Sequence, residues 1–349
     1  MRYRVYTEPG LESLLADELQ QLGIEQQSEA PAGGGWVDLH DHDSERLSRS
    51  RIARRALRHV ASGNAHELGS MRTAIAQLEI PELYQAASFR VSATVRRSEL
   101  DRNEAAGTAG GALQERHRCA VDLTCFEVEL CLMIDGSSWM LGLPTDRVDR
   151  TKRVLRPLAL RTALRPTVAA ALIQLAGANQ GAGRLVDPLC GAATIPIEAR
   201  RWNPLLTVDA FDWDEATLNV ARKTLEANKV DSVELQLLDA RELGRRFPQR
   251  YDYIITDPPY GVRQARRGGV AKLYRGLLDS FAVALKPTGR VALIVVKRET
   301  LQQAAEASGW KLVREVELEL GAMQATLILL QREHESVANS ELAASVSKV

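Results

Sequence analysis

The sequence predicts an α/β protein whose C-terminal half is a mostly parallel, doubly wound sheet with an antiparallel last strand, preceded by smaller α+β units. Three observations predict it. From Leu185 onward, short apolar runs alternate with helical segments, the pattern of strands joined by crossover helices. The last two runs, Lys311–Glu319 and Met323–Gln331, are joined only by Leu320-Gly321-Ala322, too short for a crossover, so they must be antiparallel. Ahead of residue 150 the chain instead mixes strand, helix and hairpin signals.

At 349 residues the chain exceeds one typical domain, which holds roughly 100–200 residues. An apolar share of 45% with 26% charged residues excludes disordered and fibrous classes. No apolar run reaches membrane-spanning length, and Met1-Arg2-Tyr3-Arg4 opens no secretion signal, so a cytoplasmic location without membrane contact is expected. The 4 cysteines form no CxxC pair, which predicts no metal site and buried, small thiols. Basic and acidic side chains balance at 45 each, arguing against a uniformly basic nucleic-acid binder but not against local basic surfaces.

The first unit opens with a strand at Arg2–Thr7 and a turn at Glu8-Pro9-Gly10. A helix carrying Leu11, Leu14, Leu15, Leu19 and Leu22 follows and ends at Gly23. Pro31 to Gly35 reads as a loop and Trp36–Leu39 as a short strand. Arg46 to Arg58 holds six arginines and no acid, with Arg51, Arg54, Arg55 and Arg58 at i, i+3, i+4 and i+7 on one helical face. That face suits either phosphates or plain solvent. The middle unit reads as a strand at Phe89–Arg96, a glycine-rich loop at Gly107–Gly111, a helix, strands at Ala120–Leu123 and Val128–Ile134, and a hairpin into Trp139–Leu143. Residues 147–165, with seven basic side chains against Asp149, suit an exposed linker able to lie along phosphates.

In the C-terminal half, the strands are expected at Arg184–Asp187, Thr207–Asp212, Glu234–Leu238, Tyr253–Thr256 and Arg290–Val296. The first ends in Asp187-Pro188-Leu189-Cys190-Gly191-Ala192-Ala193-Thr194, a small-residue turn that lets backbone approach a ligand before the helix Ile195–Arg200. Alone it fits any doubly wound fold. Asp212 and Asp239 end the next two strands. The first can accept ribose hydroxyls beside Trp213, a cover for an adenine face, and the second can accept an adenine amino group. The plainer reading of such acids is a helix N-cap, which Asp214 suits better than Asp212.

Asp257-Pro258-Pro259-Tyr260-Gly261 follows the apolar strand directly. The prolines stiffen the loop. An exocyclic base nitrogen is a poor nucleophile because its lone pair is delocalised, so it must be held in a productive geometry. Asp257 and the Pro258 carbonyl can accept its two N–H bonds while Tyr260 stacks on the base. An ordinary proline-rich turn is the alternative.

With these residues, the C-terminal half resembles a Rossmann-like class I methyltransferase of the amino-methylating type. Thr7-Glu8-Pro9-Gly10-Leu11-Glu12, Glu18-Leu19, Leu22-Gly23, Arg51 to Arg58, Phe89-Arg90-Val91 and Val121-Asp122-Leu123 are similar to the THUMP-containing RNA methyltransferases. The resemblance reaches to about residue 332. It implies a ferredoxin-like domain over residues 1–60, a THUMP RNA-binding domain over 61–145, a linker over 146–163, the catalytic domain over 164–332 and a disordered tail over 333–349. It further implies S-adenosyl-L-methionine as cofactor, held by Asp187, Cys190, Gly191, Ala193, Asp212, Trp213, Asp239 and Ala240. Asp257, Pro258 and Tyr260 would hold the guanine, and Leu164 to Leu172 would close over the cofactor. The implied activity is transfer of methyl to guanine N2 in tRNA by a monomer. Ribosomal RNA, adenine N6, or an RNA-binding protein with a degenerate site are the alternatives. Where relatives often read CGSGT, this chain reads Cys190-Gly191-Ala192-Ala193-Thr194, placing a Cβ where the second glycine stands.

Overall fold

The computed structural model describes residues 2–27, 33–40, 44–64, 67–145, 150–158, 163–259 and 269–333. The expected tail from residue 334, the start of the loop at Pro31-Ala32, Arg147, Asp149, Tyr260 and Gly261 lie outside them. The chain divides into two compact units, one of residues 1–7 and 15–150, the other of residues 8–14 and 151–349. Among the described residues no helix is long and apolar enough to cross a membrane.

The first unit runs β1 (Tyr3–Tyr6), α1 (Glu12–Gln21, shared with the second unit), β2 (Trp36–Leu39), α2 (Ser44–Ser48), β3 (Arg55–Asn64), α3 (Leu68–Ile75), α4 (Pro81–Gln85), β4 (Ser88–Arg96), α5 (Arg102–His117), β5 (Ala120–Val121), β6 (Val128–Asp135) and β7 (Ser138–Pro144). Its strands make one seven-stranded sheet in the order β2-β1-β3-β7-β6-β4-β5. The 60/61 position lies inside β3, so one sheet runs through both segments.

Four expectations are corrected here. Arg51 to Arg58 is not a helical face. The buried Glu18 carboxylate accepts the Ser50 hydroxyl at 2.6 Å, the Arg51 amide at 2.6 Å and the Ile52 amide at 3.1 Å, folding that segment into a turn before β3. Arg55 and Arg58 therefore lie on a strand, where Arg58 pairs with Glu82 and Arg55 meets the Cys131 sulfur at 2.8 Å. Gly107 to Gly111 is not a loop but the middle of α5, capped by Asp101, whose small buried residues Ala105, Ala109, Gly110 and Ala112 form its inner face. The strand expected at Ala120–Leu123 stops at Val121, because the Asp122 carboxylate accepts the Thr124 and Cys125 amides, both at 2.8 Å. Cys125 is exposed, unlike the other three cysteines.

The second unit holds α6 (Pro166–Leu175), β8 (Gly183–Asp187), α7 (Thr194–Trp202), β9 (Leu206–Asp212), α8 (Glu215–Ala227), β10 (Val233–Leu237), α9 (Leu243–Arg246), β11 (Tyr251–Thr256), α10 (Gly269–Ala284), β12 (Leu285–Val295), α11 (Arg298–Ala307), β13 (Trp310–Leu320) and β14 (Met323–Arg332). The order is β10-β9-β8-β11-β12-β14-β13. Every pairing is parallel except those of β14, which lies antiparallel between β12 and β13. The chain thus winds outward from β8 to β10, then returns to place β11 beside β8. Ligands of such sheets bind outside the carboxyl ends of the strands at this reversal.

The Glu8-Pro9-Gly10 turn belongs to this second unit. Glu8, 1% exposed, pairs with Arg165 at 2.6 Å. Gly10 has φ +100 and a Cβ there would collide with the Glu317 carbonyl oxygen, so only glycine fits. The basic segment after residue 150 is likewise tied down, correcting its reading as an exposed linker. Arg153 binds the fully buried Glu198 at 2.7 Å, Val154 is core, and Arg156 donates to the Leu164 carbonyl at 2.6 Å.

Candidate active site

Each strand tip at the reversal carries an acid or leads to one. Asp187 is the last residue of β8 and Asp212 the last of β9, while Asp257 follows Thr256, the last of β11. Asp239 lies two residues beyond the end of β10. Because β8 neighbours both β9 and β11, the first three acids share one end of the sheet.

The turn after β8 is held by its neighbour. The Cys190 amide donates to the Phe211 carbonyl at 2.8 Å, and the Gly191 amide to the Asp212 carboxylate at 3.2 Å. Gly191 sits at φ +52, and a Cβ there would meet nothing within 4 Å, so the turn presents bare backbone to open space. Ala193, wholly buried, is also left-handed at φ 60 and forms the N-cap of α7 without a side-chain cap bond. An alanine there carries backbone strain that glycine escapes.

Burial sets the electrostatics. Asp187 is 2% exposed, and burial pushes its carboxyl up to about 8, against the Thr256 hydroxyl bond at 2.7 Å and the Leu189 amide bond, which favour the anion; the charges of Asp257 and Asp212 push it further up. Burial also raises Asp212, although it accepts the amides of Asp214 and Gly191, and raises the Cys190 thiol. Beside Asp212, Trp213 is 62% exposed, a free indole face. Asp214 takes the capping role, accepting the Thr217 amide at 3.0 Å at the start of α8.

Asp239 caps the short turn Ala240–Glu242 and pairs with Arg241 at 2.5 Å, whose hydrogen bond lowers its pKa. Ala240 is buried, its carbonyl accepting the Ser280 hydroxyl at 3.0 Å. Pro258 is buried and Asp257 partly so. Two nearby residues escape sequence reasoning. Thr256 is a polar residue ending an apolar strand directly before the motif, a signal that was there to be read. Tyr274 of α10 reads in the sequence only as one more core aromatic.

These residues fit S-adenosyl-L-methionine: open backbone at Gly191, carboxylates for hydroxyl and ammonium groups at two adjacent tips, and a free aromatic face. Residues 153–326 match the family model of the UPF0020, RMKL-like, methyltransferase domain. A tRNA (guanine(6)-N2)-methyltransferase of Thermus thermophilus is 33% identical over 85% of this chain and 90% of its own length. The crystal structure of TrmN from Thermus thermophilus superposes with a TM-score of 0.79 at 30% identity, covering 95% of this chain and 99% of that one. The structure of SMU.472 complexed with SAH shares the fold, with a TM-score of 0.73 at 20% identity over 95% of this chain and 98% of that one.

The sheet order and the strand-tip site define a class I methyltransferase that takes its methyl group from S-adenosyl-L-methionine. The chain belongs to the tRNA guanine-N2-methyltransferase family.

Proposed function

We propose that this protein transfers a methyl group to the exocyclic N2 of a guanosine in tRNA. The observation that carries the reading is the Asp257-Pro258 tip of β11 standing beside the Asp187 tip of β8, in a chain 33% identical to a tRNA (guanine(6)-N2)-methyltransferase over 85% of its length.

Asp187, Cys190, Gly191, Ala193, Asp212, Trp213, Asp239 and Ala240 line the cofactor site. Bound there, S-adenosyl-L-methionine supplies an electrophilic methyl on a sulfonium. Asp257 and the Pro258 carbonyl accept the two N–H bonds of the guanine amine and turn its lone pair toward that methyl, and Tyr260 stacks on the ring. Positioning supplies most of the acceleration. The nitrogen loses its proton only after alkylation, so no base has to act first. The first unit, read as ferredoxin-like over residues 1–60 and as THUMP over 61–145, holds the tRNA.

Mass spectrometry of nucleosides tests this. N2-methylguanosine should disappear from tRNA when the gene is deleted and return when it is restored. Its loss from ribosomal RNA alone, or loss of N6-methyladenosine instead, would move the reaction to another target.

A further inference from the structure

Tyr274 lies on α10 within the core that includes Val186 of β8, Ile254 of β11 and Leu293 of β12, with Leu189 at its rim. The residue is 1% exposed, and its hydroxyl oxygen is buried with no hydrogen-bond partner among the described residues. Buried hydroxyls are nearly always satisfied, and an exception calls for a reason. Packing gives none, since phenylalanine would fill the same space, as the buried Phe281 does on the same helix.

The surroundings supply a reason. Burial, and after it the charge of Asp257, push the phenol up to about 12, so it is a hydrogen-bond donor at any working pH. Tyr274 shares its buried cluster with Ile254 of β11, the strand that leads through Thr256 into Asp257. Asp257 is the acid whose charge reaches this hydroxyl.

We propose that Tyr274 is a positioning residue for methyl transfer: when the target amine docks, its hydroxyl donates to the Asp257 carboxylate and fixes the direction in which that carboxylate faces the amine. This rests on the role given to Asp257 above. Hydrogen bonds of this kind are commonly open in the free enzyme and close in the loaded one.

The experiment compares Tyr274→Phe and Asp257→Ala with the wild type, measuring kcat, KM for S-adenosyl-L-methionine and Tm. A hydroxyl with no function is an orphaned polar atom whose removal leaves transfer untouched. The proposal expects Tyr274→Phe to keep or raise Tm and leave KM for the cofactor unchanged, while kcat falls roughly ten- to a hundredfold. A kcat within about twofold of wild type overturns it, and so does a fall in kcat accompanied by lower Tm and weaker cofactor binding, which marks a structural role. If Asp257→Ala is inactive while Tyr274→Phe is fully active, only this inference fails. An active Asp257→Ala sinks the reading of Asp257 and this inference with it.

Discussion

Thr256 donates its hydroxyl to Oδ1 of Asp187 at 2.7 Å, a bond between the last residue of β11 and the last residue of β8. It joins the two strands where the winding of the sheet reverses. The tips of β8 and β11 are therefore fixed to each other through two buried side chains.

Asp187 makes stability depend on pH. Its carboxyl is pushed up to about 8 by burial, so the folded state favours the protonated form. The resulting stabilisation is complete below the unfolded carboxylate range near pH 4 and is lost as pH rises toward about 8. Wild type should therefore lose Tm relative to Asp187→Asn as pH is raised from about 5 to about 8. A pH-independent difference would contradict this. Binding of the cofactor's ammonium beside Asp187 should also release a proton near pH 7, seen in calorimetry as an enthalpy that varies with the ionisation heat of the buffer.

Gly191 and Ala193 predict opposite responses. Gly191→Ala, at φ +52, adds a Cβ that has room in the free protein but points into the space assigned to the cofactor. It should cost about 1 kcal/mol of stability from backbone strain and weaken cofactor binding by more than that. Ala193→Gly relieves the strain at φ 60, offset by the extra freedom of an unfolded glycine, and should change stability by less than about 1 kcal/mol while binding holds or improves. Denaturant melts and calorimetry on both variants check the contrast. Equal effects of the two substitutions on binding would count against a cofactor lying along this turn.

Arg153 and Glu198 form an ion pair at 2.7 Å in which the acid is 0% exposed and the arginine 15%. Arg153→Ala leaves a buried carboxylate without that partner and should destabilise by about 3 kcal/mol or more. The double change to Arg153→Met with Glu198→Leu should cost much less, since it removes both charges. Urea unfolding measures this directly, and additive single and double effects would refute the coupling.

How far the sequence could be read depended on the range of the forces involved. The strands from Leu185 onward were legible because each is a short apolar run bounded by its own turn, and their tips followed from that alternation. The arginine segment was not, because its shape is decided by the Glu18 carboxylate, more than thirty positions away, binding the Ser50 hydroxyl and the Arg51 and Ile52 amides. The glycines of α5 read as a loop because the benefit of small residues there lies in packing against a sheet that local pattern does not reveal. Asp214 was readable as a cap from position alone, whereas the pairing of Asp239 with Arg241 depends on the short turn Ala240–Glu242 that Asp239 caps. The burial that separates Asp187 from an ordinary surface acid, and the orphaned hydroxyl of Tyr274, exist only once β8, β11 and α10 have been brought together.

Methyl transfer by Asp257→Ala, measured at saturating cofactor and with cofactor affinity determined on the same preparation, tests the central claim most directly. The account predicts unchanged affinity for S-adenosyl-L-methionine and a rate of transfer to tRNA lowered at least a hundredfold, roughly the loss seen when a positioned hydrogen-bonding group is removed from a reacting centre. Near-normal transfer with normal cofactor binding would contradict it.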